Sequence, residues 1–232
     1  MDPSHLSVLY EDNHLLVVNK PAELPTMGVA AGNPSLLSTA KLYIKEKYDK
    51  PGNVFLGIVS RLDAPVTGVV VLTRTSKAAA RMTKQFRDRS VNKTYWAIVA
   101  GNIMPEQDEC VDWVAHHERH RKVLVIEPDD PGAKEARLRY SVKQRFVDND
   151  GGQRSWLDVT LLTGRKHQIR VQLAHRGYPI LGDYKYGSRK DFGKGIALHA
   201  RHLVIEHPVT KSEIEFTAPL PATWERILDI KD

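Results

Sequence analysis

The segment VFLGIVSRLDAPVTGVVVL, residues 54–72, holds two apolar runs separated by a short charged connection. Both runs are rich in β-branched side chains, which favour extended backbone. Pro65 lies in the connection and keeps it out of a helix and out of a central ladder. We therefore predict strand, loop and strand, with the charged residues Arg61 and Asp63 held in a rigid loop.

On both sides of this loop, short extended segments outnumber helical patterns. Residues 6–19 predict a hairpin, and Asn33-Pro34 predicts the start of a helix that stops near residues 50–52. A second helix is predicted from Ser76, where apolar residues recur every three or four positions. Apolar or alternating runs predict strands at residues 54–59, 67–72, 93–100, 121–127, 136–147, 154–162, 198–206 and 213–217.

The order of these elements decides the fold class. Strands that rarely alternate with helices are typical of antiparallel sheets rather than of doubly wound ones. No glycine-rich phosphate loop follows a predicted strand, so the dinucleotide and Walker patterns are both missing from the sequence. We predict an α+β fold with a largely antiparallel, mixed β-sheet flanked by helices and loops.

Composition narrows the class of protein. Of 232 residues, 41% are hydrophobic and 27% are charged, which is ordinary globular usage and excludes a disordered chain.

The longest apolar runs fall far short of the roughly 20 residues that span a bilayer, and residues 1–5 lack the basic flank of a secretory signal. A single cysteine, Cys110, excludes an internal disulfide. We expect one domain over residues 1–232, in the cytoplasm and not at a membrane. The net charge of +6 admits nucleic acid, anionic lipid or acidic substrates as partners.

A second concentration of charge is GRKHQIR, residues 164–170. On a helix, Lys166 and Arg170 would lie four residues apart on one face, next to an apolar face formed by Ile169 and Leu173. Arg170 would then lie near the core boundary, where its guanidinium needs a carboxylate, and Asp63 is an eligible partner. From these residues alone, a structural salt bridge is the default interpretation, and a catalytic pair is the alternative.

A series of short motifs follows in a fixed order along nearly the whole chain. They are YED at 10–12, LLVVNKP at 15–21, RLD at 61–63, TG at 67–68, KTY at 93–95, TGRKHQIR at 163–170, PILGD at 179–183, LHA at 198–200 and HP at 207–208. In order and spacing this series resembles the RluA-type branch of the pseudouridine synthases. The resemblance implies the catalytic fold of that family and the isomerisation of uridine to pseudouridine in ribosomal or transfer RNA, without a cofactor.

The resemblance also assigns roles to residues. Asp63 matches the essential aspartate of the family, Arg170 the arginine that pairs with it, and Tyr95 the tyrosine that lies against the target base. Arg61 matches the arginine that fills the space left by the extruded uridine. A carboxylate can add to the anomeric carbon, add to the base or accept a proton, and these alternatives stay open.

Further residues are expected around this site. With Arg61, we expect Lys20, Arg165 and Lys166 to contact RNA, and His167 to support the site by hydrogen bonding. The small N-terminal RNA-binding domain of some relatives is expected to be absent, and the protein is expected to be a monomer.

Three departures from the family pattern motivate a second hypothesis. Ser60 replaces the usual histidine before the RLD triplet, Val66 replaces a threonine after it, and Glu23 replaces a glycine after the KP pair. The alternative function is therefore that of a catalytically impaired RNA-binding or ribosome-assembly protein on the same fold. Retention of the three matched catalytic residues favours the enzyme.

A histidine-rich segment invites a metal interpretation. His116 and His120 would share a zinc ion if they lay four residues apart on a helix, with His117 beside them. The basic residues at 119–122 would repel a cation, so we instead expect a basic hairpin tip that contacts phosphate or solvent, and no metal. Cys110 is expected to be an inert thiol in an acidic loop.

Overall fold

The computed structural model describes residues 6–30, 32–119 and 122–228. In chain order the elements are β1 (Val8–Glu11), β2 (Leu15–Lys20), α1 (Leu36–Lys47), β3 (Gly57–Ile58), β4 (Thr67–Thr73), α2 (Ser76–Asp88), β5 (Asn92–Ala100), β6 (Gln107–His117), β7 (Lys122–Ile126), β8 (Lys134–Val147), β9 (Gln153–Leu161), α3 (Gln168–His175), a 3-10 helix (Tyr184–Tyr186), β10 (Leu198–Glu206), β11 (Glu213–Thr217) and α4 (Ala222–Leu228). The predicted α+β class is confirmed. Among these described helices, none has the length and apolar character that a bilayer crossing requires.

The chain divides into two compact units. Within the described residues, the first comprises 6–93 together with Ala200–Pro221, and the second comprises Thr94–His199 together with the helix Ala222–Leu228. The first unit is therefore discontinuous in sequence, because most of the second unit is inserted between its two segments.

The first unit is a β-sheet covered on both faces. Strand β2 pairs antiparallel with β1 and β4, β3 pairs with β4, and β11 pairs with β10. All seven residues of β4 are buried, because its two faces contribute to two different cores. Leu16, Val18, Val70 and Leu72 pack with residues of α1, whereas Leu15, Val17, Val69 and Val71 pack with Met82 of α2 and with β10 and β11.

Helix α1 begins later than the sequence pattern predicts. The prediction placed the N-cap at Asn33 with Pro34 as the first helical residue. In the structure Ser35 is the N-cap, because its Oγ accepts from the Ser38 amide at 3.1 Å while the Ser38 Oγ accepts from the Ser35 amide at 2.9 Å. This reciprocal capping box satisfies two donors, which a single side chain at residue 33 could not do.

The second unit is an antiparallel sheet in the order β5-β9-β8-β6-β7. One face is covered by α3, whose Val171 packs with Val114, Val123 and Ala136. The other face of β6 is open to solvent. Polar residues therefore alternate with buried ones along this strand, and our prediction from the sequence, which placed Cys110 in an acidic loop, missed it.

This strand corrects the position of Cys110 and of the histidines. Cys110 lies buried in β6 rather than in a loop, and burial raises the pKa of its thiol to about 11, which makes it unreactive. His116 and His117 end the same strand, so helical spacing does not apply to them. His120 lies outside the described residues. Within the described ranges no group of three His, Cys, Asp or Glu residues is placed to hold a metal ion.

Candidate active site

Asp63 lies in the loop that joins β3 to β4, and Thr26 fixes the backbone of this loop. The Thr26 hydroxyl donates to the Leu62 carbonyl at 2.8 Å and accepts from the Leu62 amide at 3.1 Å. On the other side of Asp63, the Val66 amide donates to the Asp63 carbonyl at 3.1 Å and closes a turn. The backbone is therefore held at Leu62, directly before Asp63, and at Asp63 itself.

Ser60 secures the beginning of the same loop. Its hydroxyl accepts a hydrogen bond from the Val71 amide of β4 at 3.2 Å, just beyond the point where β3 stops pairing with β4. The side chain thus continues the ladder by one hydrogen bond after the backbone has left it. The loop retains this attachment although a serine stands where the family usually has histidine.

Gly68 attaches the downstream end of the loop to β10. Its φ of 114° lies in the region that favours glycine, and a Cβ there would overlap the backbone of Ala200. Only a residue without a side chain allows this close approach of the two strands.

Lys20 is buried beneath the loop, which corrects its assignment as an RNA contact. Its side chain is 0% exposed, and Nζ donates to the carbonyls of Pro21 (2.8 Å), Leu24 (2.8 Å) and Ala64 (3.1 Å). A buried ammonium that is surrounded by three carbonyls has no route to a phosphate. The motif that contains Lys20 therefore supports the Asp63 loop from inside the protein.

Burial lowers the pKa of Lys20 to about 7, against the opposing effect of the Asp63 charge. In the unfolded chain its pKa is about 10.4, so between these values the unfolded state holds a proton that the folded state has released. The free energy of unfolding should then rise with pH in this window by roughly 1 kcal/mol per pH unit.

We expect Lys20→Met to lack this dependence. Urea denaturation of both proteins from pH 7.5 to 9.5 should show a growing stability advantage of the wild type over the variant. A difference that stays constant over this range would contradict the lowered pKa.

Arg170 lies in α3 and forms a buried ion pair. Its Nε and Nη2 donate to the two oxygens of Asp183 at 2.7 and 2.9 Å, and the two side chains are 5% and 1% exposed. This bidentate geometry matches the planar fork of a guanidinium. Asp183 comes 13 residues later in the chain and was not predicted as a site residue. The pairing of Arg170 with Asp63 stays a prediction, since Asp63 belongs to the first unit.

Helix α3 begins at Gln168, which corrects the predicted relation between Lys166 and Arg170. Lys166 precedes the helix and is exposed, and His167 has a left-handed backbone with φ 54°. The Gln168 side chain stops the helix from extending further, because its Oε1 accepts from Thr163 Oγ1 at 2.8 Å and from the Arg165 amide at 2.9 Å. The predicted burial of Ile169 is confirmed.

Tyr95 lies in β5, and the strand register shows which face it occupies. Tyr95 is paired with Val159, Val159 with Tyr140, and residues two positions along β8 from one another share a face. Ala136 of β8, on the same face as Tyr140, packs against α3. The structure therefore brings Tyr95 and α3 to the same face of the second unit.

The predicted RNA contacts differ in their accessibility. Arg61 and Lys166 are exposed, whereas Arg165 and His167 are half-buried. The Nε of Arg165 donates to the Glu135 carbonyl at 2.8 Å, so part of its donor capacity is used within the protein.

A model of the family described as RNA pseudouridylate synthase matches residues 14–175. The chain belongs to this family. Ribosomal large subunit pseudouridine synthase D of Pseudomonas aeruginosa is 33% identical over 241 residues, which cover 97% of this chain and 71% of the relative. Dual-specificity RNA pseudouridine synthase RluA of Haemophilus influenzae is 32% identical over 221 residues, which cover 92% of this chain and 93% of the relative. The predicted RluA-type resemblance is confirmed.

The fold agrees with a solved structure of the same family. Human RNA Pseudouridylate Synthase Domain Containing 4 superposes with a TM-score of 0.76 at 24% identity, covering 97% of this chain and 94% of the human chain. The family match and the two bacterial relatives show that the chain is an RNA pseudouridine synthase, an isomerase that converts uridine in RNA to pseudouridine.

Proposed function

We propose that this pseudouridine synthase modifies uridines in ribosomal or transfer RNA, with Asp63, Tyr95 and Arg170 as its catalytic residues. The Pseudomonas relative is named for the ribosomal large subunit, and the Haemophilus relative is named as dual-specificity. The first name supports ribosomal RNA as a substrate, and the second supports an enzyme with more than one RNA substrate.

The observation that carries the catalytic assignment is the attachment of the Asp63 loop. Lys20 and Thr26 bind the backbone of residues on either side of Asp63, so the carboxylate is presented from a fixed position. A fixed carboxylate suits a reaction that must cut the bond from ribose to the uracil nitrogen and rejoin the base through a ring carbon. The product has the same atoms as the substrate, since the nitrogen gains a proton and the ring carbon loses one.

In this proposal Asp63 adds to the ribose or the base, or accepts a proton, and Arg170 orients it. Asp183 holds the Nε and Nη2 edge of Arg170, and this contact sets the direction of the remaining donors. Tyr95 contributes a ring that stacks on the base and a hydroxyl that assists removal of the ring-carbon proton.

RNA binding in this proposal rests on Arg61, Arg165, Lys166 and His167, of which the two exposed cations are suited to phosphate. The reaction is proposed to need no cofactor. A single catalytic domain, a monomeric state and a cytoplasmic location stay predictions, and the buried thiol of Cys110 is compatible with reducing conditions.

The substrate class is tested by mapping pseudouridine in RNA from cells that lack the gene. Purified protein added to this RNA should restore pseudouridine at one or a few positions in ribosomal or transfer RNA, and Asp63→Asn should restore none. Restoration confined to messenger RNA would contradict the proposed substrate class.

A further inference from the structure

Tyr186 lies between two residues of the proposed site without having been assigned a role. It ends the 3-10 helix that follows Asp183, and its amide donates to the Asp183 carbonyl at 3.0 Å. In a 3-10 helix, residues three apart lie on the same side. Asp183 and Tyr186 therefore reach the same neighbour, and this neighbour is Arg170.

The ring of Tyr186 restrains Arg170 in a direction that Asp183 does not. The Arg170 Cζ lies 5.0 Å from the centroid of the Tyr186 ring. A bidentate carboxylate fixes a guanidinium within its own plane, whereas an aromatic ring beneath it limits motion out of that plane. Together the two contacts define the full orientation of the guanidinium.

The hydroxyl of Tyr186 makes a second connection. Its oxygen accepts from the Val123 amide at 3.0 Å and lies 2.7 Å from Nδ1 of His167. A phenol has one proton and two lone pairs, so while it accepts from Val123 it can either donate to Nδ1 of His167 or accept from it, according to the tautomer of the imidazole. When the phenol is the donor, Nδ1 is the acceptor and the proton of a neutral imidazole lies on Nε2, where it is a donor suited to RNA oxygens.

We propose that Tyr186 is a positioning residue that orients Arg170 with its ring and sets the tautomer of His167 with its hydroxyl. This inference rests on the proposed role of Arg170 in isomerisation. It makes one side chain responsible for the geometry of both the catalytic arginine and a predicted RNA contact.

The test compares Tyr186→Leu and Tyr186→Phe with matched changes at Tyr184. Tyr184 lies two residues earlier, is 61% exposed, and its hydroxyl donates to Asp191 at 3.3 Å. Tyr186→Leu removes ring and hydroxyl and should lower the single-turnover rate by about 30-fold or more, since small misplacements of a catalytic group have effects of this size. Tyr186→Phe keeps the ring and should restore the rate to within about threefold of wild type. The Tyr184 variants should match the wild type.

A double-mutant cycle separates positioning from general stability. If Tyr186 acts through Arg170, Tyr186→Leu should add less than about threefold to the loss caused by Arg170→Lys. The inference would be overturned if the rate losses of the two single variants multiplied in the double variant, or if Tyr186→Leu alone had a near-normal rate. A normal rate of Arg170→Lys alone would instead overturn the proposed role of Arg170.

The hydroxyl is tested in a variant that loses only one atom. In 15N NMR spectra the Nδ1 of His167 should give an acceptor-type shift in the wild type, and Tyr186→Phe should change that shift. Identical His167 shifts in both proteins would refute the tautomer-setting role, whatever the rates show.

Discussion

Asp63→Asn and Asp63→Ala are expected to abolish isomerisation while RNA affinity stays within about threefold of the wild type. The carboxylate supplies the covalent or proton-transfer chemistry, which an amide or a methyl group cannot provide. Affinity rests mainly on phosphate contacts made by other residues. Loss of an essential catalytic group lowers turnover by about four orders of magnitude or more.

The measurement is tritium release from RNA labelled at the uracil carbon that becomes bonded to ribose. Asp49→Asn is the matched control, because Asp49 is an exposed carboxylate of the same unit in the turn after α1. This control should retain full activity. Turnover by Asp63→Ala at even a few per cent of the wild-type rate would refute the assignment of Asp63.

Arg170→Lys is expected to lower the single-turnover rate by about a hundredfold, which corresponds to a barrier increase of roughly 3 kcal/mol. Lysine keeps the charge but cannot satisfy two oxygens of Asp183 with a planar fork, so the donors beyond this pair lose their direction. The same loss of a buried bidentate pair should reduce the free energy of unfolding by about 1–3 kcal/mol.

Arg154→Lys provides the control that separates these two effects. Arg154 is also buried, at 4% exposure, and also donates to both oxygens of a carboxylate, that of Asp150, at 3.0 and 2.9 Å. It lies at the start of β9, next to the turn that follows β8, so its replacement should cost similar stability and leave the rate unchanged. A hundredfold loss in both variants, measured well below their melting temperatures, would show that the effect of Arg170→Lys is structural.

The strands were predictable where local chemistry determined them. The sequence prediction for residues 198–206 coincides with β10, and residues 213–217 coincide with β11, because β-branched and apolar residues dominate both. Strand β6 was not predictable in the same way. Its backbone is hydrogen-bonded to β7 and β8, which the local sequence does not show. Because one of its faces is solvated, about half of its side chains are polar, and its composition resembles that of a loop.

Only the residues of the candidate site that belong to recognised sequence motifs could be predicted. Asp63, Tyr95 and Arg170 were predicted from the family resemblance. No local sequence pattern predicts that Asp183 is the bidentate partner of Arg170. Lys20 was assigned to RNA together with Arg61, Arg165 and Lys166, and cations usually face solvent. Its burial depends on three carbonyls from two separate segments, and their meeting is a property of the tertiary fold.

The close approach of Gly68 to Ala200 has a consequence for how the protein is made. A chain emerging from the ribosome presents the Asp63 loop long before β10, so the loop must wait for its last attachment until residue 200 has been synthesised. The second unit, by contrast, has all five strands of its sheet, β5 to β9, once residue 161 has been synthesised, and only its last segment, which begins at Ala222, follows β10. A nascent chain that exposes residues up to 199 should therefore contain the ordered sheet of the second unit, whereas the first unit stays incomplete until β10 emerges.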